Sequence, residues 1–152
     1  MTRRAKQHNV HKDFHGALSF GLKFLEEQYG MDGTREFLQG LAETVYAPLV
    51  ADLRERGLCA LRDHWQTVFD LEQGEIEQVL RDDVLTLTVK RCPAVAHMKE
   101  RGYRIAPHHC EQTRAINEAV CRAAGYASST EYDQDAGTCV QKFWKVAEKG
   151  ST

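Results

Sequence analysis

Val84-Leu85-Thr86-Leu87-Thr88-Val89-Lys90-Arg91-Cys92-Pro93 alternates apolar and polar side chains and then stops at a proline. A period of two places Leu85, Leu87 and Val89 on one face, the mark of a half-buried strand. Pro93 suits the first turn of a helix, where its missing N–H would have had no intrahelical partner. Cys92 is then expected at the N-cap, beside free backbone N–H groups and the positive end of the helix dipole, a setting that favours a thiolate. His97 follows in the same short helix. Unbroken alternation would put Cys92 on the Thr86/Thr88 face, unless a bulge near Arg91 re-aims it. A cysteine at a strand end is also commonly a small buried hydrophobe.

Working outward, Ile76 to Arg81 and Val84 to Arg91 flank Asp82-Asp83, which reads as a tight hairpin turn. Upstream, His11, His15, Leu18, Leu22, Leu25 and Tyr29 recur at spacings of four and three, predicting a helix over about 9–29 that Gly30 ends. Asp32 can cap the next helix, which carries Phe37, Leu38, Leu41, Val45, Leu49 and Leu53 and is kinked or split near Val45 by Pro48. Leu58, Leu61, Trp65 and Phe69 share one side of a third helix, stopped at Gly74. Downstream, Pro93 to Glu100 is a short helix stopped by Gly102. Pro107 is expected to open a longer helix reaching Ala124, with Ile116, Ala119, Val120 and Ala123 facing inward and Gly125 ending it. Tyr126 to Tyr132 and Thr138 to Lys145 form a second hairpin. Helices gathered ahead of two hairpins, with two more between them, predict one α+β domain over 1–152, with 1–8 and 147–152 frayed. The two hairpins are expected to form an antiparallel sheet.

Composition narrows the function classes. Lysine and arginine total 20 against 22 acidic residues, a net charge of −2, and no basic stripe with interleaved aromatics suggests a nucleic-acid partner. Arg3, Arg4 and Lys6 are too few for a basic arm. No apolar run nears the roughly 18 residues of a membrane span, and no hydrophobic signal segment follows Met1-Thr2-Arg3-Arg4. An odd number of cysteines without framework spacing points to reduced thiols in a cytoplasm. Exposed apolar helical positions in a chain of this size leave room for a homodimer. No glycine-rich phosphate loop, dinucleotide fingerprint or Gly-x-Ser-x-Gly is present, which disfavours nucleotide-driven chemistry.

Several side chains could carry chemistry. His11 and His15 lie one turn apart on the expected helix, a spacing used by paired metal ligands. With Cys92 or Cys110 they could supply three ligands to a divalent metal, zinc or iron, leaving a position open. Equally, Cys92 with a histidine could form a thiol–imidazole pair that attacks a C=N or C=O carbon. Pro107-His108-His109-Cys110-Glu111 packs further donors into what reads as a first helical turn. Arg114 and Asn117 extend that strip, suited to gripping a substrate carboxylate and an amide or carbonyl. Cys139 shares a strand face with Phe143. Cys59 and Cys121, among alanine and leucine, read as structural, and His64 beside Trp65 as a packed or surface histidine.

Leu87-Thr88-Val89-Lys90-Arg91-Cys92-Pro93, His109-Cys110-Glu111 and Asp135-Ala136-Gly137-Thr138-Cys139-Val140-Gln141-Lys142-Phe143 together resemble the L-2-amino-thiazoline-4-carboxylic acid hydrolase family. The resemblance spans about the C-terminal half. It implies cleavage of a carbon–nitrogen bond in a cyclic amidine, opening a thiazoline ring on the way to cysteine. By position it points to Cys92, Cys110 and Cys139, and to Glu111. The chain departs from the family at Gln112 and Thr113, where a further acidic residue is usual, and after Cys139, where an acidic-aromatic-basic run is absent. The layout is also similar to ligand-binding domains of the 4-vinyl reductase type, which implies a binding or sensor domain instead.

Overall fold

The computed structural model describes residues 11–148. Asn9 and Val10 of the expected first helix, and the termini 1–8 and 149–152, lie outside these residues. Helix α1 runs Phe14–Val45 and is broken at Gly30, whose backbone (φ 71°, ψ −177°) is open to glycine and strained for other residues. The expected stop at Gly30 is therefore a kink, and the helix resumes at once. Asp32 does not cap the second segment; the Thr34 hydroxyl instead donates to the Gly30 carbonyl. Helix α2, Ala47–Arg56, starts with Pro48 in its first turn, so the proline divides two helices. Helix α3 spans Leu58–Glu72 and ends at Gln73 in the left-handed region.

Strands β1 (Glu75–Arg81) and β2 (Val84–Arg91) meet at Asp82 and Asp83, whose φ angles of 52° and 59° suit a type I′ hairpin turn. Helix α4 covers Pro93–Arg101, with Gly102 as its left-handed cap. Helix α5 covers Glu111–Ala124, and strands β3 (Tyr126–Asp133) and β4 (Thr138–Lys145) close the chain. The four strands form one antiparallel sheet in the order β1-β2-β4-β3. The architecture is α+β, as the sequence predicts.

Two expectations about α5 are corrected. Pro107 opens a turn, not the helix: His109 N–H donates to the Ala106 carbonyl and Glu111 N–H to that of His108, and the helix begins only at Glu111. Ala123 is exposed and its carbonyl accepts from Arg54; Cys121, fully buried, takes the inward place.

One face of the sheet supplies Leu85, Leu87, Val89 and Phe143 to a core shared with Leu38, Leu53, Leu61, Ile116 and Val120 of the helices. Each such side chain, fully buried, contributes about 1.5–3 kcal/mol from removal of apolar surface from water. Among the described residues no helix is long and apolar enough to cross a membrane.

Candidate functional site

The register of the first hairpin decides where Cys92 points. Ile76 pairs with Val89 and Glu75 with Arg91, so Lys90 is an extra residue in β2. One added residue reverses the parity of everything after it. Cys92 consequently leaves the Thr86/Thr88 face and joins Val89 against the core. Its N–H donates to the Gly137 carbonyl at 2.9 Å, and its own carbonyl accepts from Ala96 at 3.0 Å, which starts α4. Gly137 has φ 70°, and a Cβ there would meet Val95 Cγ1 at 3.3 Å, so glycine lets β4 begin tightly against Cys92 and α4.

The second hairpin brings up the opposite wall. Val89, Cys139 and Tyr132 stand in one row across β2, β4 and β3, and Leu87, Gln141 and Thr130 in the next. Cys110, from the turn before α5, closes the space. Cys92, Cys110 and Cys139, from three separate segments, thus line a single cavity of about 60 Å³ with Thr113, Thr130, Tyr132, Thr138 and Gln141 among its polar walls and Phe69, Val89 and Val95 among its apolar ones. All of the chain's cysteines are free thiols.

These thiols are held neutral. Burial pushes the Cys92 thiol up, and the backbone N–H groups of Val95 and Ala94 oppose that only in part, without a capping hydrogen bond; the Glu72 charge adds to the rise. The expected N-cap thiolate is therefore corrected: loss of solvent outweighs the helix end. Cys110 is pushed up to about 12 by burial and then by Cys92 and Cys139. Cys139 is raised by burial, with some relief from Gln141, whose Nε2–H donates to its sulfur at 3.3 Å.

The residues expected to grip substrate are already engaged. Asn117, 3% exposed, donates to Gln141 Oε1 at 2.7 Å. Arg114 donates to Glu111 Oε2 at 2.9 Å and to the Thr130 carbonyl at 2.8 Å, and its guanidinium lies 5.0 Å from the centre of the Tyr132 ring. Glu111 also accepts from the Tyr132 hydroxyl at 3.1 Å and from Arg35 at 3.5 Å. This network braces the wall behind the cavity.

The histidines are elsewhere. His97 bonds to Asp13, at the start of α1, at 2.9 Å, and among the described residues no hydrogen bond joins Cys92 to a histidine. His11 is exposed and precedes α1, so it does not share a helical face with His15. His15 is buried and donates from Nε2 to Glu72 Oε1 at 2.5 Å. The expected set of His11 and His15 with Cys92 or Cys110 is not assembled, and among the described residues no three His, Cys, Asp or Glu side chains are grouped to hold a metal ion. His108 is exposed and pairs with Glu26. His109 is 1% exposed and its Nδ1 has no hydrogen-bond partner among the described residues.

Gln141 and Thr130 of the cavity wall, and Glu72 whose charge reaches Cys92, escape a reading by sequence alone. Gln141 and Thr130 face each other across β3 and β4, and both are buried polar groups on the core face. Gln141 sits between Cys139 and Phe143 at the strand period, which is the signal that could have found it. Glu72 closes α3 with nothing in the local pattern to mark it. The chain matches no protein-family model, no curated protein and no solved structure.

Proposed function

We propose that this chain is a small-molecule hydrolase that cleaves a carbon–nitrogen bond in an amide-like or cyclic amidine substrate, with Cys92 as nucleophile. The convergence of Cys92, Cys110 and Cys139 on one cavity carries the reading. The same three positions are those the resemblance to the thiazoline carboxylate hydrolases implies. Cys92 is preferred because the N–H groups of Val95 and Ala94 offset part of its burial, whereas burial and both neighbouring thiols all raise Cys110.

For an amide, the Cys92 sulfur bonds to the carbonyl carbon while its proton passes to the leaving nitrogen and the C–N bond breaks. Water then attacks the thioester carbon, the C–S bond breaks, and a proton from that water restores the thiol. The resting thiol is neutral, so its proton travels with the reaction. Burial thereby slows adventitious oxidation of the sulfur, which depends on thiolate character and exposure.

The test is release of ammonia or amine from small amides and from 2-aminothiazoline-4-carboxylate. Cys92→Ser is expected to abolish turnover with little change in thermal stability; retained turnover removes Cys92 from the mechanism. Among the described residues no imidazole is bonded to Cys92, which favours a second reading, a non-catalytic ligand-binding domain of the 4-vinyl reductase type. That reading predicts saturable binding with no turnover of any substrate in the panel.

A further inference from the structure

The walls of the thiol cavity restrict what can enter it. A single water needs on the order of 10–15 Å³, so a cavity of about 60 Å³ holds only a few heavy atoms. Drug-sized ligands occupy pockets of roughly 300–1,000 Å³. Among the described residues, none of the lining side chains is a lysine, arginine, aspartate, glutamate or histidine. Arg114 is spent on Glu111 and on the Thr130 carbonyl. A carboxylate drawn into this cavity would lose its water and gain no cation, which is unfavourable.

Two of the polar wall side chains are already engaged among the described residues. Gln141 donates to Cys139 and accepts from Asn117, and the Tyr132 hydroxyl donates to Glu111. Of the wall hydroxyls of Thr113, Thr130 and Thr138, that of Thr130 is the one buried without a partner among the described residues. Thr130 is 5% exposed. A buried hydroxyl left unpaired is destabilising, so a ligand oxygen accepting from it is favoured.

We infer that the cavity takes a compact uncharged primary amide, close to acetamide in size, whose carbonyl oxygen accepts a hydrogen bond from Thr130 Oγ1. This takes the thiol cavity of the proposed hydrolase as its site and narrows that enzyme's substrates to neutral amides, in place of a ring bearing a carboxylate.

Chloroacetamide and chloroacetate test it on the intact chain. With either, a thiol sulfur bonds to the methylene carbon, chloride leaves and the thiol proton goes to buffer. Alkylation is read cysteine by cysteine by peptide mass mapping. The cavity thiols should prefer the amide over the acid at least about tenfold more than free cysteine does, since about 1.4 kcal/mol of unpaired-charge penalty suffices for that ratio. Cys59, which lies on an open groove away from this cavity, should show no such excess. Excess acetamide should slow alkylation in the cavity, and excess acetate should not. Thr130→Val should weaken protection by acetamide, and Thr130→Ser should keep it.

Equal selectivity at cavity and free thiols, or failure of both reagents to react there, overturns the inference. So does acetamide protection that Thr130→Val leaves intact. None of these readouts needs turnover. Selectivity without hydrolysis refutes the hydrolase and keeps the ligand class, while hydrolysis without selectivity does the reverse.

Discussion

Gln141 donates its amide hydrogen to the sulfur of Cys139 at 3.3 Å, and its Oε1 accepts from Asn117 at 2.7 Å. A side chain on β4 thus couples the polar centre of α5 to one thiol of the cavity. The donor favours the thiolate form of Cys139 against the larger effect of burial. Gln141→Leu is expected to raise that thiol further and slow its alkylation at a given pH. The same change leaves the buried Asn117 amide without its acceptor, a loss of about 1–3 kcal/mol on urea unfolding. Unchanged Cys139 reactivity would separate the amide from the thiol.

His15 and Glu72 form a second buried relationship, with each side chain 10% exposed. Gly74 explains how the end of α3 reaches this region: a Cβ there would lie 2.8 Å from Pro93 Cδ, so the chain passes directly against Cys92-Pro93. His15→Leu leaves the buried Glu72 carboxylate without its partner and should cost on the order of 3–5 kcal/mol. Replacing both by leucine should recover most of that, because the uncompensated charge goes with its partner. Urea midpoints of the two single variants and the double variant measure the coupling.

His109 makes stability depend on pH. Gln112 donates to its Nε2 at 3.0 Å, so the neutral ring carries its proton on the unpartnered Nδ1. Burial, and then the neighbouring His15, lower its pKa to about 4 from the ordinary 6.5. The unfolded chain therefore binds this proton at a higher pH than the folded one does. Stability is full above about pH 6.5 and falls as pH drops from there to about 4, by roughly 3 kcal/mol in all. His109→Gln should flatten that part of the urea midpoint against pH. A slope as steep as that of the unaltered chain would place the titration on another group.

The strands were legible because Leu85, Leu87 and Val89 alternate cleanly and Asp82-Asp83 tolerates the positive φ of the turn. Pro48, Gly102 and Gly125 marked real boundaries for the same reason: their backbone chemistry acts locally. Pro107 misled, since a proline that fits a helical first turn fits a preceding turn equally well. The direction of Cys92 rests on the bulge at Lys90, and Lys90 and Arg91 are both polar, so no periodicity reports it. The cavity itself depends on β2 pairing with β4 across the intervening helices. Cys92, Cys110 and Cys139 are neighbours only through that long-range pairing. The N-cap thiolate failed because a helix end is a local signal, whereas burial is set by the whole fold.

The central claim is that these three thiols share one small space, and methyl methanethiosulfonate tests it directly. The reagent transfers a methylthio group to sulfur with release of methanesulfinate. An adduct on any one of Cys92, Cys110 and Cys139 should fill much of the roughly 60 Å³ cavity and exclude the other two. Intact mass combined with peptide mapping of the native chain should show molecules carrying a single cavity adduct, with Cys59 modified independently. Molecules in which all three cavity thiols are modified at independent rates would contradict the account.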